Sequence, residues 1–407
     1  MATINKIPKC PPLRFPQFSD DWQIVPLKGM CELYSGNTPD RTNEAYFNGD
    51  INWFSSGELK DRYLHMSNEK ISQQAVESVG LKILPPNTLV IAIYGLEASG
   101  VRGNCAIIGT SGTISQACMA FIPKVGVMNE YLYSWYQRFG NYIGLKYAQG
   151  TKQQNLSSDI IGNLSVAHPT LKEQSKIVCF FRLIDEHIAN LSETIKELKT
   201  QKAGLLNQLF SQKLRFPDFN DEWTQCFVSD FGQVVTGSTP PTSDSCNYDA
   251  SDYLWASPSD LGQTKYIRKT KTMLSSKGFS LTRSLPLGSV LVSCIGIIGK
   301  VGVAVTEMST NQQINAIIPN QSKVNSEYVY YAILNKSLAY SRLSATQVVP
   351  ILSKREFERM RNQYPSLAEQ KKIADFLSLI DERIEVEEQL LKKYEEQKKY
   401  LLRKMFV

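Results

Sequence analysis

Histidine is nearly absent: the 407 residues contain only His65, His168 and His187, and none has a histidine at the matching place of the internal repeat described below. That scarcity argues against a histidine-based triad or metal site. The eight cysteines (Cys10, Cys31, Cys105, Cys118, Cys179, Cys226, Cys246 and Cys294) have no CxxC spacing and mostly do not match between the repeats. Neither a zinc site nor a disulfide frame is expected, and reduced thiols in a cytoplasm are. No apolar run reaches the ~20 residues of a membrane span. The longest uncharged one, Leu285 to Gly299, is broken by Pro286 and glycines and predicts a buried strand pair. The opening MATINKIPKC has no apolar h-region, so no signal peptide is expected.

Nucleotide motifs are missing too. Gly299-Lys300 is preceded by Cys294 where a phosphate loop needs glycine and followed by Val301 where it needs Ser or Thr. GLEASGVRG (Gly95 to Gly103) and GIIGKVG (Gly296 to Gly302) miss the dinucleotide fingerprint. They read as turns, or as places where backbone approaches a partner closely. No N/D-P-P-Y/F tetrapeptide of the amino-methyltransferase type is present.

What is present is present twice. LRFPQFSDDW at Leu13 returns as LRFPDFNDEW at Leu214, SGNTP at Ser35 as TGSTP at Thr236, and NWFSSGEL at Asn52 as LWASPSDL at Leu254. PTLKEQSKIVCFFRLIDEHI at Pro169 returns as PSLAEQKKIADFLSLIDERI at Pro365. The unit is about 200 residues, large enough to bury its own core, so two whole domains stand in tandem rather than a solenoid. Each globular part mixes β-type runs such as Thr88 to Tyr94 with short helices at Asn129 to Phe139 and Ser326 to Asn335.

After Pro169 and Pro365 the pattern changes. Ile177, Phe180, Ile184, Ile188, Leu191, Ile195, Leu198, Leu205 and Leu209 alternate at three and four spacing, with Lys202 in the one gap. Ile373, Phe376, Ile380, Ile384, Leu391, Tyr394, Leu401 and Met405 hold the same register, interrupted by Glu387 and Lys398. Each predicts one long helix with a narrow a/d seam. Such a seam calls for a partner, and packing two equivalent helices about a pseudo-two-fold axis makes them antiparallel. The alternative is two separate helices, each lying on its own domain. The expected segments are a domain over 1–169, a spacer helix over 170–212, a domain over 213–365 and a spacer helix over 366–407.

Net charge is only +6, but Gly262 to Thr306 carries seven basic residues and no acid, and Tyr131 to Ser158 carries three and no acid. One-signed stretches are candidate phosphate-binding faces. One near-match to a nuclease, Pro39-Asp40 followed by Glu58-Leu59-Lys60, has two carboxylates and a lysine suited to magnesium. Its second-copy counterpart, Pro240-Pro241 with Asp260-Leu261-Gly262, does not keep them.

The ends of the two copies, GTKQQNLSSDIIGNLSVAHPTLKEQSKIVCFFRLIDEHI and ATQVVPILSKREFERMRNQYPSLAEQKKIADFLSLIDERI, with LRFP and the SGNTP/TGSTP turn, resemble the specificity subunit of a type I restriction-modification enzyme. The resemblance covers essentially the whole chain. It implies an α+β architecture: two tandem target recognition domains of mixed α/β structure, each followed by a long α-helix, the helices packed as an antiparallel coiled coil with pseudo-two-fold symmetry. It implies a non-catalytic subunit in which each domain reads one half of an asymmetric bipartite DNA target and the helices fix the spacing. The partners implied are double-stranded DNA, two methyltransferase subunits and, through them, restriction and translocase subunits. S-adenosylmethionine, ATP and magnesium would belong to those partners, with no cofactor held by this chain. A free-standing DNA-binding regulator and, on the near-match, an autonomous nuclease are the alternatives.

Bases are read most efficiently by Arg on guanine and by Asn or Gln on adenine. The candidate DNA contacts are the amide-rich Lys152, Gln153, Gln154 and Asn155, their second-copy counterparts Thr346 and Gln347, and the basic Arg41, Lys60, Arg62, Arg102 and Lys146. In the second domain they are Lys265, Arg268, Lys269, Lys271, Lys277, Arg283 and Lys300.

Overall fold

A computed structural model describes residues 10–97, 100–150, 154–343 and 351–407. Two compact units result. The first combines the residues up to Leu191 with Leu390–Val407, and the second is Ser192–Gln389.

In the first unit a five-stranded sheet runs in the order Cys31–Ser35, Cys118–Pro123, Leu89–Ala92, Cys105–Ile108, Tyr63–Leu64. A three-stranded sheet of Lys70–Ile71, Ile51–Phe54 and Gly112–Ile114 stands beside it, and Gln23–Pro26 pairs with Ser165–His168 to close the domain. Every residue of Leu89–Ala92 and Cys105–Ile108 is buried, as unbroken apolar runs require. The second unit repeats the plan with Gly232–Thr236, Ile314–Pro319, Val290–Ser293, Val301–Ala304 and Tyr266–Ile267. The expected strand pair within Leu285 to Gly299 is therefore half right. Only Val290–Ser293 lies in that run, because positive φ at Gly296 (76°) and Gly299 (87°) turns the chain and puts the antiparallel partner at Val301–Ala304. The domain helices are longer than their apolar pattern indicates, Asn129–Tyr147 and Ser326–Leu343.

The repeated sequence words turn out to be framework. A Cβ on Gly36 of SGNTP would stand 2.0 Å from the Ile114 carbonyl oxygen, and one on Gly237 of TGSTP 2.1 Å from that of Asn311, so each turn tolerates glycine alone. The Trp53 and Trp255 indoles donate to the next carbonyls, Asn37 O and Ser238 O, both at 3.1 Å. The Glu-Gln of each P-x-L-x-E-Q word has two jobs. Glu173 accepts from Nε and Nη2 of Arg14, from LRFP, each at 2.7 Å. Gln174 accepts from Met128 N (3.0 Å) and donates to Gly126 O and Pro169 O, fixing the entry to the domain helix. Gln370 repeats this with Asn325 N, Lys323 O and Pro365 O.

Two helices dominate, Leu171–Phe210 and Leu367–Met405, of 40 and 39 residues. They pair antiparallel. In the first unit Phe181 meets Phe406, Asp185 meets Lys398 and His187 meets Tyr394, so one number rises as the other falls. In the second unit Lys199 meets Glu388 and Lys202 meets Asp381. The predicted seam is the buried stripe: Ile177, Leu191, Ile195, Leu209, Ile373, Ile384 and Met405 are buried, and Phe180, Ile184, Ile188, Leu198, Leu205, Phe376, Ile380, Leu391, Tyr394 and Leu401 are half-buried. Toward the helix ends the stripe widens, since Ile177, Val178, Phe181, Leu402, Met405 and Phe406 also join the first domain's core. Leu206, Leu209, Phe210, Ile373, Ala374 and Leu377 join the second's. Among the described residues no helix is long and apolar enough to cross a membrane.

Candidate nucleic-acid interface

Three of the seven bases between Gly262 and Thr306 meet acids in the fold, and two more are held by backbone carbonyls. Lys265 is buried at the end of a strand, where its ammonium meets Glu327, Ser378 Oγ (2.7 Å) and Tyr331 Oη (3.3 Å). Burial brings its pKa down from 10.5 to about 8, against the pull of Asp381. Arg268 pairs with Glu385 at 2.9 Å, Lys277 with Asp244 at 2.8 Å. Arg283 donates to the Thr236 carbonyl at 2.6 Å, and Lys300 to the Pro258 carbonyl at 3.3 Å. The acids that do this lie outside the stretch, which is why the sequence hides them. Lys269 and Lys271 are exposed, and among the described residues their ammonium groups have no acidic partner.

The first domain shows the same division. Arg62 is not free for DNA. Its guanidinium bonds Asp185 at 2.5 Å, stands 3.9 Å from Glu130 and lies over the Tyr133 ring. Arg41 is exposed but paired with Glu69 at 2.9 Å and stacked on Phe47 and Trp53. Lys60 is exposed, with no acidic partner among the described residues. Lys146 projects from the domain helix beside Tyr142 and Tyr147, whose hydroxyls raise its pKa, and Tyr142 is itself exposed.

Two surface features emerge. One is a turn closed by a carboxylate: Glu58 caps Ser55 and accepts from Asn68 N at 2.6 Å, as Asp260 caps Ser257 and accepts from Lys271 N at 2.8 Å. Lys60 follows this turn in the first domain, and Lys269 and Lys271 border it in the second. The other joins the glycine-rich loop to the amide-rich segment. Leu96 N donates to Gln154 O (3.1 Å), Gln154 N donates to Glu97, and Arg102 reaches the Gln154 side chain at 3.4 Å; Asn155 pairs with Gln149. In the second domain Ile295 bridges Ile351 in the same way. Gly103 and Gly299 close these loops against the domain helices, where a Cβ would stand 2.8 Å from Asn141 N and from Ser337 O. Lys152, Gln153, Thr346 and Gln347 lie outside the described residues. Gln154 lies 52 residues from Arg102 in the chain, so only the fold joins the loop to the amide-rich segment.

The nuclease near-match does not assemble. Asp40 accepts from Thr42 N and Oγ1, and both Glu58 oxygens are engaged in the turn just described. Among the described residues no three His, Cys, Asp or Glu side chains group to hold a metal.

Residues 19–200 and 220–396 each match the model of the type I restriction modification DNA specificity domain. The chain belongs to that family. It is 34% identical over 171 residues to the specificity subunit of the type I restriction enzyme MjaIX of Methanocaldococcus jannaschii, across 40% of this chain and 39% of that protein. To the MjaVIII specificity subunit of the same organism it is 20% identical over 419 residues, across 96% of this chain and 92% of that one. The S subunit of the type I restriction-modification system of M. genitalium shares the fold with a TM-score of 0.65, 14% identity and coverage of 98% and 99%. The tandem domains and long helices of this chain are thus those of a type I specificity subunit.

Proposed function

We propose that this chain reads DNA for a type I restriction-modification complex without performing chemistry. Each domain contacts one half of an asymmetric bipartite target, and the paired helices set the gap and dock two methyltransferase subunits. Restriction and translocase subunits join through those, and S-adenosylmethionine, ATP and magnesium belong to the partners. The observation that carries this reading is the contrast between two residue sets. Framework interactions recur in both domains, whereas surface residues at equivalent places differ, Asn68 against Lys271 beside the carboxylate-closed turn and Asn155 against Ile351 beside the glycine-rich loop. Two readers on one frame with different surfaces suit two different half-sites, which a single domain cannot distinguish.

Exchanging Asn220 to Tyr364 for the matching region of a relative, in the assembled complex, tests it. Methylated-site sequencing should show one half-site changed and the other retained. Alteration of both halves, or purification of the active chain without any methyltransferase subunit, would contradict the proposal.

A further inference from the structure

The helix seam contains two lysines, and both are spent on the same contact. Lys398 Nζ stands 2.5 Å from Asp185 Oδ1, and Lys202 Nζ stands 2.5 Å from Asp381 Oδ1. Asp185 and Asp381 are 196 positions apart, as are Lys202 and Lys398, so one pair occurs twice with the helices exchanging roles. Each aspartate spends its second oxygen on its own globular domain. Asp185 Oδ2 takes Arg62 at 2.5 Å, and Asp381 Oδ2 takes the Tyr331 hydroxyl at 2.6 Å. The side chains are mostly out of water, Asp185 at 12% exposure, Arg62 at 9% and Lys398 at 16%.

We infer that Asp185 and Asp381 are positioning residues for specificity, each holding the helix pair in one register and one reading domain on that pair. An apolar a/d seam is degenerate: slid by a heptad, it again sets Ile and Leu against Ile and Leu. A charge in the seam removes the degeneracy, because any other register leaves a desolvated lysine or carboxylate without its partner. The same carboxylate also carries the domain contact, so helix register and reader placement are fixed at one point. The charged and titratable neighbours around the first clamp are Glu130, Tyr63, Cys105 and Tyr133. Around the second they are Lys265, Glu327 and Tyr331.

This rests on the proposed role of the helices in setting the gap, and two readouts separate the claims. In the assembled complex, sequencing of methylated sites should give one gap length for the unaltered chain. For Asp185→Asn and for Lys398→Met, about a tenth or more of sites should show other gap lengths, with half-site sequences unchanged, as loss of a seam polar contact relaxes register. Lys196→Met, which removes an exposed lysine paired, among the described residues, only to Glu193 three residues away, should keep a single gap. Spin labels at Glu186 and Lys399, in a chain with Cys10, Cys179 and Cys246 changed to Ser, report register without reference to DNA. Their distance distribution should broaden in both clamp variants. A narrow distribution in either variant overturns the inference. Broadened distances with an unchanged gap would leave the clamp standing and sink the ruler. If Asp185→Asn does not assemble, Lys398→Met decides, because Arg62 still satisfies Asp185.

Discussion

Arg215 binds Glu369 through two parallel contacts, Nε to Oε1 and Nη2 to Oε2, both 2.8 Å, and spends Nη2 again on the Asp221 carbonyl. Glu369 is 1% exposed and also faces the Trp223 indole nitrogen at 3.4 Å. The forked geometry adds direction to charge, and it ties the LRFP word to the first turn of the second long helix. The duplicate, Arg14 with Glu173, makes the same tie in the first copy by nearly identical geometry.

Glu369→Ala leaves Arg215 Nε and the indole without an acceptor, while Nη2 keeps the Asp221 carbonyl. It should cost about 2 kcal/mol, below the usual range for breaking a buried pair because Arg215 still reaches water. Glu69→Ala removes an equally well-formed fork to Arg41, but both partners are about half exposed, so the cost should stay within about 0.5 kcal/mol. Denaturant unfolding of the two variants should separate them. Equal losses would mean that exposure does not govern these pairs.

The basic stretch of the second domain separates into structural and available charges. Lys269→Ala with Lys271→Ala should weaken DNA binding by the assembled complex and reduce the log–log salt slope by about 1.8, two phosphate contacts at about 0.9 each. Lys265→Ala should leave the slope unchanged and lower the unfolding midpoint, since it leaves Glu327 with the Tyr266 hydroxyl alone in place of a cation. A binding titration across salt concentrations reads the first effect, and an unchanged slope in the double variant would remove both lysines from the interface.

How much of this was legible in the sequence depends on range. The duplication, the helix seam and the P-x-L-x-E-Q words were visible because their signals are local or periodic: Ile177 to Leu209 keeps its spacing whatever it packs against. The partners of single charges were not. Arg62 and Lys265 read as surface bases because Asp185 lies 123 residues from the first and Glu327 lies 62 from the second, and only the fold joins them. The framework glycines Gly36 and Gly237 likewise reveal their reason only when the carbonyls of residues 114 and 311 are in place.

Lysine at 265, where the first domain has arginine, gives the second domain a buried base that titrates in mild alkali. Its native pKa of about 8 lies below the ordinary 10.5. Below pH 8 both folded and unfolded chains hold the proton, and the full cost of the buried charge is present. Between the two values the unfolded chain binds more protons, so this group's contribution to stability rises with pH. Buried thiols oppose it: burial pushes Cys31, Cys105 and Cys118 up to about 12, so from about pH 9 the unfolded chain loses those protons first and stability falls. Comparison with Lys265→Met cancels the thiols. The stability of the unaltered chain relative to the variant should rise by about 2 kcal/mol between about pH 7.5 and about pH 10. A flat or falling difference would mean that Lys265 titrates normally.

The helices offer the most direct test of how the two half-sites are spaced. Leu198 and Tyr394 are equivalent by duplication, and each lies between the clamp residues of its own helix: Leu198 between Asp185 and Lys202, Tyr394 between Asp381 and Lys398. Inserting seven residues after both positions keeps the a/d phase and leaves all four clamp residues in place, unlike a four-residue insertion, which rotates the seam. Each helix then grows by about 10.5 Å, against a duplex rise of about 3.4 Å per base pair. The gap should lengthen by about three base pairs with both half-site sequences unchanged, because no reading residue moves relative to its own domain. Twisting the longer gap back into phase with the readers costs deformation energy, so methylation should slow. Sequencing of the methylated sites decides the matter: an unchanged gap in an active complex would show that something other than the helix pair measures it.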